Sequence, residues 1–442
     1  MKKTLLSALT FCLCPAVFAA SVITTRPGDP GAVYLDAPAA GNDGTAAGAD
    51  SSGALQTAID KAEGPAREGI VFIPAGSYTL TRTIYVWPGV RLIGYGATRP
   101  VFILSPNTPG FQKGMGVLVM FTGLAPHEAT RARNPIAFPP PGTVPPNPNV
   151  ADANSSTFYS AMTNIDFEIG DGNPAAVAVR FHVAQHAFLT HMDFHIGSGL
   201  AALYQIGNEA EDVHFYGGRY AILTEKTSPA WQFTLVDSIF EGQRESAIRE
   251  QEAGLTLIRD TFRDVPKAID IDAGYPDQLW AKDCRFEQIA DAVVTISKEE
   301  SPLTEIGFEN TILAKAPIFA RLRESGRTIA GKGEIYQIKN FNYGLIVPGE
   351  GRMGAIGMQY EAAPLSAMPA LQPPAIRALP PSSEWVNVHA LGIKGDGATD
   401  DTAALQQAVD AHRVLYFPSG HYVVRDTLTL KPDTVSLGFI PR

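Results

Sequence analysis

One short pattern limits what this chain can fold into. Between residues 164 and 313 a polar residue leads, two or three positions later, to a phenylalanine or, in the last case, a leucine. The series is Asn164-Ile165-Asp166-Phe167, His191-Met192-Asp193-Phe194, Asp212-Val213-His214-Phe215, Asp237-Ser238-Ile239-Phe240, Asp260-Thr261-Phe262, Asp283-Cys284-Arg285-Phe286 and Asn310-Thr311-Ile312-Leu313. The final members lie 27, 21, 25, 22, 24 and 27 residues apart. A second short apolar run follows several of them, as at 220–223, 246–248, 267–271 and 292–296. Repeats of this length with two or three strands each indicate a solenoid. A leucine-rich repeat does not fit, because its L-x-x-L-x-L pattern is missing and helix formers are sparse. A parallel β-helix fits: stacked rungs put like residues over like, so the phenylalanines predict an internal aromatic stack. The Asp/Asn column predicts turns in which a short polar side chain bonds the backbone.

A second feature is a duplication. GADSSGALQTAIDKA at 48–62, followed by GIVFIPAGSYTLTRTIYVWPGVRLIG at 69–94, recurs as GATDDTAALQQAVDA at 397–411 and HRVLYFPSGHYVVRDTLTLKPDTVSLG at 412–438. Asp50 matches Asp400, Leu55 matches Leu405, Ile59 matches Val409, and Pro74-Ala75-Gly76 matches Pro418-Ser419-Gly420. Leu55, Ala58, Ile59 and Ala62 fall at helical spacing behind Ser51 or Ser52, which predicts a short capped helix. β-branched runs at 70–73, 78–80, 83–86 and 90–93 predict strands. A solenoid end exposes core and unpaired strand edges, and a helix there covers them.

Composition adds a soluble, exported character. The chain has 442 residues, 45% hydrophobic and 18% charged, with a net charge of −10 that weighs against nucleic acid and anionic membrane as partners. Residues 1–20, MKKTLLSALTFCLCPAVFAA, carry two lysines, an apolar run and small residues at the end, the pattern of a secretory signal peptide. The expected location is therefore secreted or periplasmic. Beyond the leader only Cys284 remains, so no internal disulfide is expected. The domain plan is a leader at 1–20, a first β-helix at 21–345, a Pro-rich linker at 346–384 and the start of a second β-helix at 385–442. Seven prolines between Asn134 and Asn149 read as a rigid surface loop or as a lip over a groove.

The phrase Gly395-Asp396-Gly397-Ala398-Thr399-Asp400-Asp401-Thr402-Ala403-Ala404-Leu405-Gln406, with Phe417-Pro418-Ser419-Gly420-His421-Tyr422, resembles the opening of the pectate-lyase-like domain. The resemblance implies an all-β fold: a right-handed single-stranded parallel β-helix with an N-terminal capping helix, plus the opening cassette of a second β-helix. Two such openings are similar to the arrangement of glycoside hydrolase family 55, the exo-β-1,3-glucanases. That resemblance implies a polysaccharide partner, a β-glucan or pectin-like chain, and hydrolysis by direct attack of water. The family's acid catalyst lies in its second helix, of which this sequence holds only the opening. The resemblance therefore supplies no acid and implies a truncated, inactive chain or a different arrangement. Phe181-His182-Val183-Ala184-Gln185 resembles the family's strand that supplies a glutamine for the attacking water, which points to Gln185.

Other candidates come from the residues themselves. Glycoside hydrolysis needs a proton donor and a base. Asp270-Ile271-Asp272 places two carboxylates about 7 Å apart on one strand face. Glu250-Gln251-Glu252 does likewise, and Glu225 follows a predicted strand. For each, the plainer reading is a solvated face of an acidic protein. His182, Tyr204, Trp231 and Tyr275 are candidate substrate contacts, with Trp280 a further ring for stacking; packing is the plainer role for any one ring. His182, His186, His191 and His195 cluster in sequence but lack a carboxylate at zinc spacing, so no metal and no cofactor are expected. A polyuronate lyase would instead draw its base from Arg244, Arg249, Arg259 or Arg263. A non-catalytic β-helix that binds polysaccharide or serves as a structural spike is the third reading.

Overall fold

In the computed structural model the described residues are 20–37, 49–63, 69–124, 157–224, 232–371 and 380–439. Glu225, Trp231, the Pro-rich run at 134–149 and all but the last residue of the leader lie outside them. The described chain is a three-faced parallel prism of stacked rungs. On the first face the inward column runs Val71, Leu92, Met162, Leu189, Ala210, Leu235, Leu257, Ala281 and Phe308. On the second it runs Tyr78, Phe102, Phe167, Phe194, Phe215, Phe240, Phe262, Phe286 and Leu313. On the third it is aliphatic, from Ile84 and Val119 to Val294 and Ala320.

The expected aromatic stack is present. Successive ring centroids from Phe167 to Phe286 are 5.0, 5.5, 4.8, 4.3 and 4.8 Å apart, with interplanar angles of 27° or less. It starts two rungs earlier than the sequence pattern suggested, with Tyr78 and Phe102 meeting edge to face at 6.0 Å. All these rings are buried. Each adds roughly 0.5–1.5 kcal/mol of ring contact to its area burial.

The polar column sets the corner between first and second faces. Asn164, His191, Asp212, Asp237, Arg259, Asp283 and Asn310 all have φ between 49° and 59°. A left-handed residue turns the chain sharply, and Asn and Asp tolerate it best because their side chains bond locally. In one rung the position falls on Arg259 rather than Asp260, which the sequence pattern had placed in this column. Arg259 is tied to Asp237 of the rung above by bonds of 2.6 and 2.7 Å. Asp260 turns inward instead, fully buried, where it accepts the Ser238 amide at 2.8 Å.

Helix α1 (Ser52–Glu63) closes the N-terminal end, burying Leu55, Ala58, Ile59 and Ala62 as its spacing predicts. Gln56 acts as a stand-in for a strand. Its Oε1 accepts the Tyr85 amide at 2.9 Å and its Nε2 donates to the Tyr85 carbonyl at 3.0 Å, so the first rung's edge is satisfied. Asp50 Oδ1 accepts the Ser52 amide and hydroxyl, and Ser52 Oγ accepts the Thr81 amide.

The second copy repeats this bond for bond. In helix α2 (Thr402–Ala411), Gln406 exchanges the same pair of bonds with Thr429 at 2.8 and 3.1 Å. Asp400 accepts from Thr402, whose hydroxyl accepts the Arg425 amide. The copy forms a parallel three-stranded sheet of Val386–Asn387, Val414–Phe417 and Ser436–Phe439. It leans on residues 24–29: Asp29 accepts the Ser419 amide at 2.9 Å, Asn387 donates to the Gly28 carbonyl, and Ser382 accepts the Thr25 amide.

The opposite end differs from expectation. Within the stretch read as linker, Ala355–Pro364 is a strand, pairing antiparallel with Ile335–Ile346, which pairs antiparallel with Glu305–Ala314. The parallel repeat stops there, so the period carried no sign of it.

Two outcomes follow from this architecture. Phe240→Ala should lower unfolding free energy by about 3–5 kcal/mol, the cost of an aromatic cavity, read by denaturant titration. Asp29→Ala should leave the melting of the prism unchanged while limited proteolysis removes residues 385–442 faster than in the parent chain.

Candidate functional site

The sequence candidates fall into two groups along the third face. His182 and Gln185 follow the strand Ala176–Arg180, and Tyr204 ends the next one. Asp270, Asp272 and Tyr275 come later. From Ala176–Arg180 the stack passes through Ala201–Tyr204, Tyr220–Leu223 and Ser246–Glu250 before it reaches Asp270. Four steps at roughly 4.8 Å put about 19 Å between Gln185 and Asp270. The two groups therefore cannot work on one glycosidic bond.

Local contacts sharpen the split. Tyr204 is wholly buried in an apolar cluster with Val177, Ala201 and Tyr220, so no face of its ring is open to a sugar. Arg180 is buried and bonds His182 Nδ1 at 3.2 Å and Gln205 Oε1 at 2.9 Å. Gln185 is half-buried, and its carbonyl accepts the Tyr159 amide. The carboxylates expected as a catalytic pair are engaged with cations. Asp272 is held by Arg249 through two bonds of 2.8 and 3.1 Å and by Gln251 at 2.7 Å. Asp270 meets Lys267 at 2.7 Å and also Arg323. The Arg249 and Arg323 pairs cross between rungs, while Lys267 and Asp270 lie on one strand. The candidate lyase bases are engaged as well: Arg259 with Asp237, Arg263 with Glu241, Arg249 as above, and Arg244 with the carbonyls of Gly197, Ser198 and Gly199.

Tyr275 lies elsewhere, in a trough. Three hollows of about 300, 580 and 610 Å³ run together across the corner between third and first faces. The first shares Gln232 and Gln278 with the second, and Glu252, Pro276 and Leu303 with the third. Tyr275 stands over one end and Trp280 over the other, each 38% exposed. Gly307, paired with Trp280 in the next rung, gives the indole room: a Cβ there would stand 3.1 Å from its ring. Gln232, Gln278, Asn342 and Gln359 supply amides along the floor and rim. Aromatic faces plus amides in an elongated depression suit a chain of sugar rings.

Beneath the trough sits an acid pair that strand alternation misjudged. Glu250 and Glu252 were expected on one exposed face. The corner intervenes: Glu252 takes φ 53° and lines the trough, while Glu250 turns inward and is fully buried. Glu250 contacts Asp277, which is 3% exposed, lines the trough and accepts the Gly254 amide at 3.0 Å. Burial pushes the Glu250 carboxyl well above the usual range, and the Asp277 charge adds to this; Asp277 is raised by burial as well. Each carboxyl of this contacting pair therefore holds its proton to a higher pH than an exposed carboxyl does.

Elsewhere, His191 and His214 join a carboxylate chain that the sequence kept apart. His191 Nδ1 meets Asp212 at 2.7 Å, while His214 meets Asp193 at 3.1 Å and Asp212 at 3.3 Å; Arg99 bridges Asp193 and Asp166. These two acids raise His214 to about 9, against the opposing effect of burial. Rung pairing explains the encounter, since Asp193 and His214 are register partners. His195 and His186 stack on Tyr216 and Tyr159 at 4.8 and 5.0 Å.

Comparison with known proteins bears on this architecture. A curated relative from Penicillium expansum, described as "Non-secreted LysM effector LysM19", is 22% identical over 447 residues. The match takes in 88% of this chain and 32% of that protein, so this chain spans about a third of its relative's length. Among solved structures, PfbA, a surface adhesin of Streptococcus pneumoniae, is similar at 12% identity and a TM-score of 0.38, over 66% of this chain and 73% of its own. The catalytic unit of a GH87 α-1,3-glucanase from Streptomyces thermodiastaticus is similar at 13% identity and a TM-score of 0.34, over 70% and 68%. A family model, rhamnogalacturonase A/epimerase, pectate lyase-like, matches residues 39–270 and 385–438. The two segments hold both copies of the cassette and more than half of the sequence, and the chain belongs to this pectate-lyase-like family.

Proposed function

We propose that this is an exported polysaccharide-active β-helix protein that holds a glycan in the trough between Tyr275 and Trp280 and hydrolyses it there. The observation that carries this reading is the trough itself, where two exposed rings and a row of amides overlie a buried, contacting carboxyl pair. Asp277 is the proton donor to the glycosidic oxygen, because it lines the hollow and burial raises its pKa. Glu252, on the same hollow, is the group that receives a proton from water. The resemblance to exo-β-1,3-glucanases places its acid in a second helix; this trough offers one of its own. Lyase chemistry is less favoured, since the candidate arginine bases are committed to carboxylates or carbonyls. Export rests on the leader at 1–20.

Three measurements test this. Trp280→Ala and Tyr275→Ala should each weaken binding of a soluble glycan such as laminarin about 10-fold, with unchanged melting, as loss of a stacking ring implies. Asp277→Asn should abolish reducing-sugar release while a correctly folded Trp280→Phe variant retains it; an unsaturated, ultraviolet-absorbing product from polygalacturonate would instead establish elimination. The acid pair also fixes a pH dependence. Its folded pKa lies above the unfolded value, so its contribution is intact below the ordinary carboxylate range and stability falls as pH rises through the raised value. Glu250→Gln should flatten the melting temperature across that window.

A further inference from the structure

We propose that two copies of this chain join end to end, each adding its last prism strand to the edge of the other. The hairpin that finishes the prism covers the core but leaves one edge over. Ala355–Pro364 pairs with Ile335–Ile346 along one side, and no other main-chain hydrogen bond reaches it among the described residues. Natural sheet edges are guarded by lysine, proline, a bulge or a covering segment. From Ala355 to Tyr360 this edge carries no charge, no proline and no shift of register. The described chain does not return over it. By Pro369 it is three strands inward, where Arg285 donates to the Pro369 carbonyl at 2.6 Å. By Ser382 it has reached the opposite end, against Thr25.

The strand's own pattern selects a second copy as the occupant. Its unbroken pairing runs from Ala355 to Glu361. Laid antiparallel on itself about a twofold axis, that stretch overlaps fully when Met358 stands opposite its counterpart. Ile356 then meets Tyr360, Gly357 meets Gln359 and Ala355 meets Glu361. Ile356 and Tyr360, which rest on the core, thus find apolar partners, and Met358, 41% exposed, covers its twin. Glu361, the one charge in the strand, is compensated within its own copy by Lys339 at 2.9 Å and faces an alanine across the join. The join also sets hollow against hollow. The column Trp280, Gly307, Asn342 and Gln359 lines the hollow of about 580 Å³ and ends on this edge, so a second copy continues it.

The mass of the full chain in solution, read by sedimentation over a range of concentrations, tests this. A two-chain particle should form. Met358→Lys, which sets two ammonium groups against each other, should return it to one chain with its circular dichroism unchanged, while Met358→Leu should keep the dimer. Met358→Cys reads the register. Residues opposite each other across the axis have Cα atoms about 4.5–5.5 Å apart, within disulfide reach, so mild oxidation should link two chains. Met353→Cys, more exposed but far from the axis, should not, and the native Cys284 is buried. A one-chain mass at every concentration would overturn the pairing. A freely reactive Met358→Cys thiol would then leave the edge to a strand of another protein, and a shielded one would assign it to a further segment of the same chain. A dimer that survives Met358→Lys would overturn it too, by placing the contact elsewhere.

Discussion

Most of this prism depends on one backbone event, the left-handed residue that turns each rung from Asn164 onward from the first face to the second. A β-strand slipped by one residue presents its other face. The recurring φ near 55° fixes that register by placing the phenylalanine three positions later, facing inward, rung after rung. The aromatic stack is thus a consequence of the corner as much as a source of stability. Intervals of 21 to 27 residues are tolerated because length variation falls in the other corners. One of these, between the third and first faces, is where the trough lies.

A solenoid must also end without exposing strand edges, and the two ends solve this differently. At the start, a helix side chain imitates a peptide: Gln56 donates and accepts against Tyr85 as a neighbouring strand would. At the finish, a hairpin reverses direction and buries Phe341 and Tyr336 against the last rungs. The duplicated cassette is the first solution used twice. Its shared letters include the groups that make these bonds, Asp50 and Gln56 in one copy and Asp400 and Gln406 in the other, beside core residues such as Leu55 and Leu405.

The fold was largely legible because its determinants are local and periodic. Phe167 to Phe286, the buried face of α1 and the corner column, Arg259 apart, could be read directly. The hairpin at 335–364 was not, since antiparallel pairing needs no repeat and prolines at its margins mimicked a linker. The site was less legible for a geometric reason. Lys267 is close to Asp270 in sequence, yet the other groups that neutralise Asp270 and Asp272 sit on other rungs, at Arg323 and Arg249, and stacking partners are separated by a variable interval. Glu250 was misplaced because alternation holds only within a strand, and a corner begins directly after it. Tyr275 and Trp280 were visible as aromatics, but only folding shows that they flank one depression while Tyr204 is enclosed.

The hairpin end has a further meaning for how such a protein can vary. One of the three hollows is made partly from it, through Asn342, Tyr343, Leu345 and Gln359, and the other two come from the last parallel rungs and their corners. Whole rungs inserted nearer the helix would lengthen the body yet leave this composite hollow untouched. Shaft length and the shape of the trough are therefore separable traits here: the first is set by copy number, the second travels with the last rungs and the terminator.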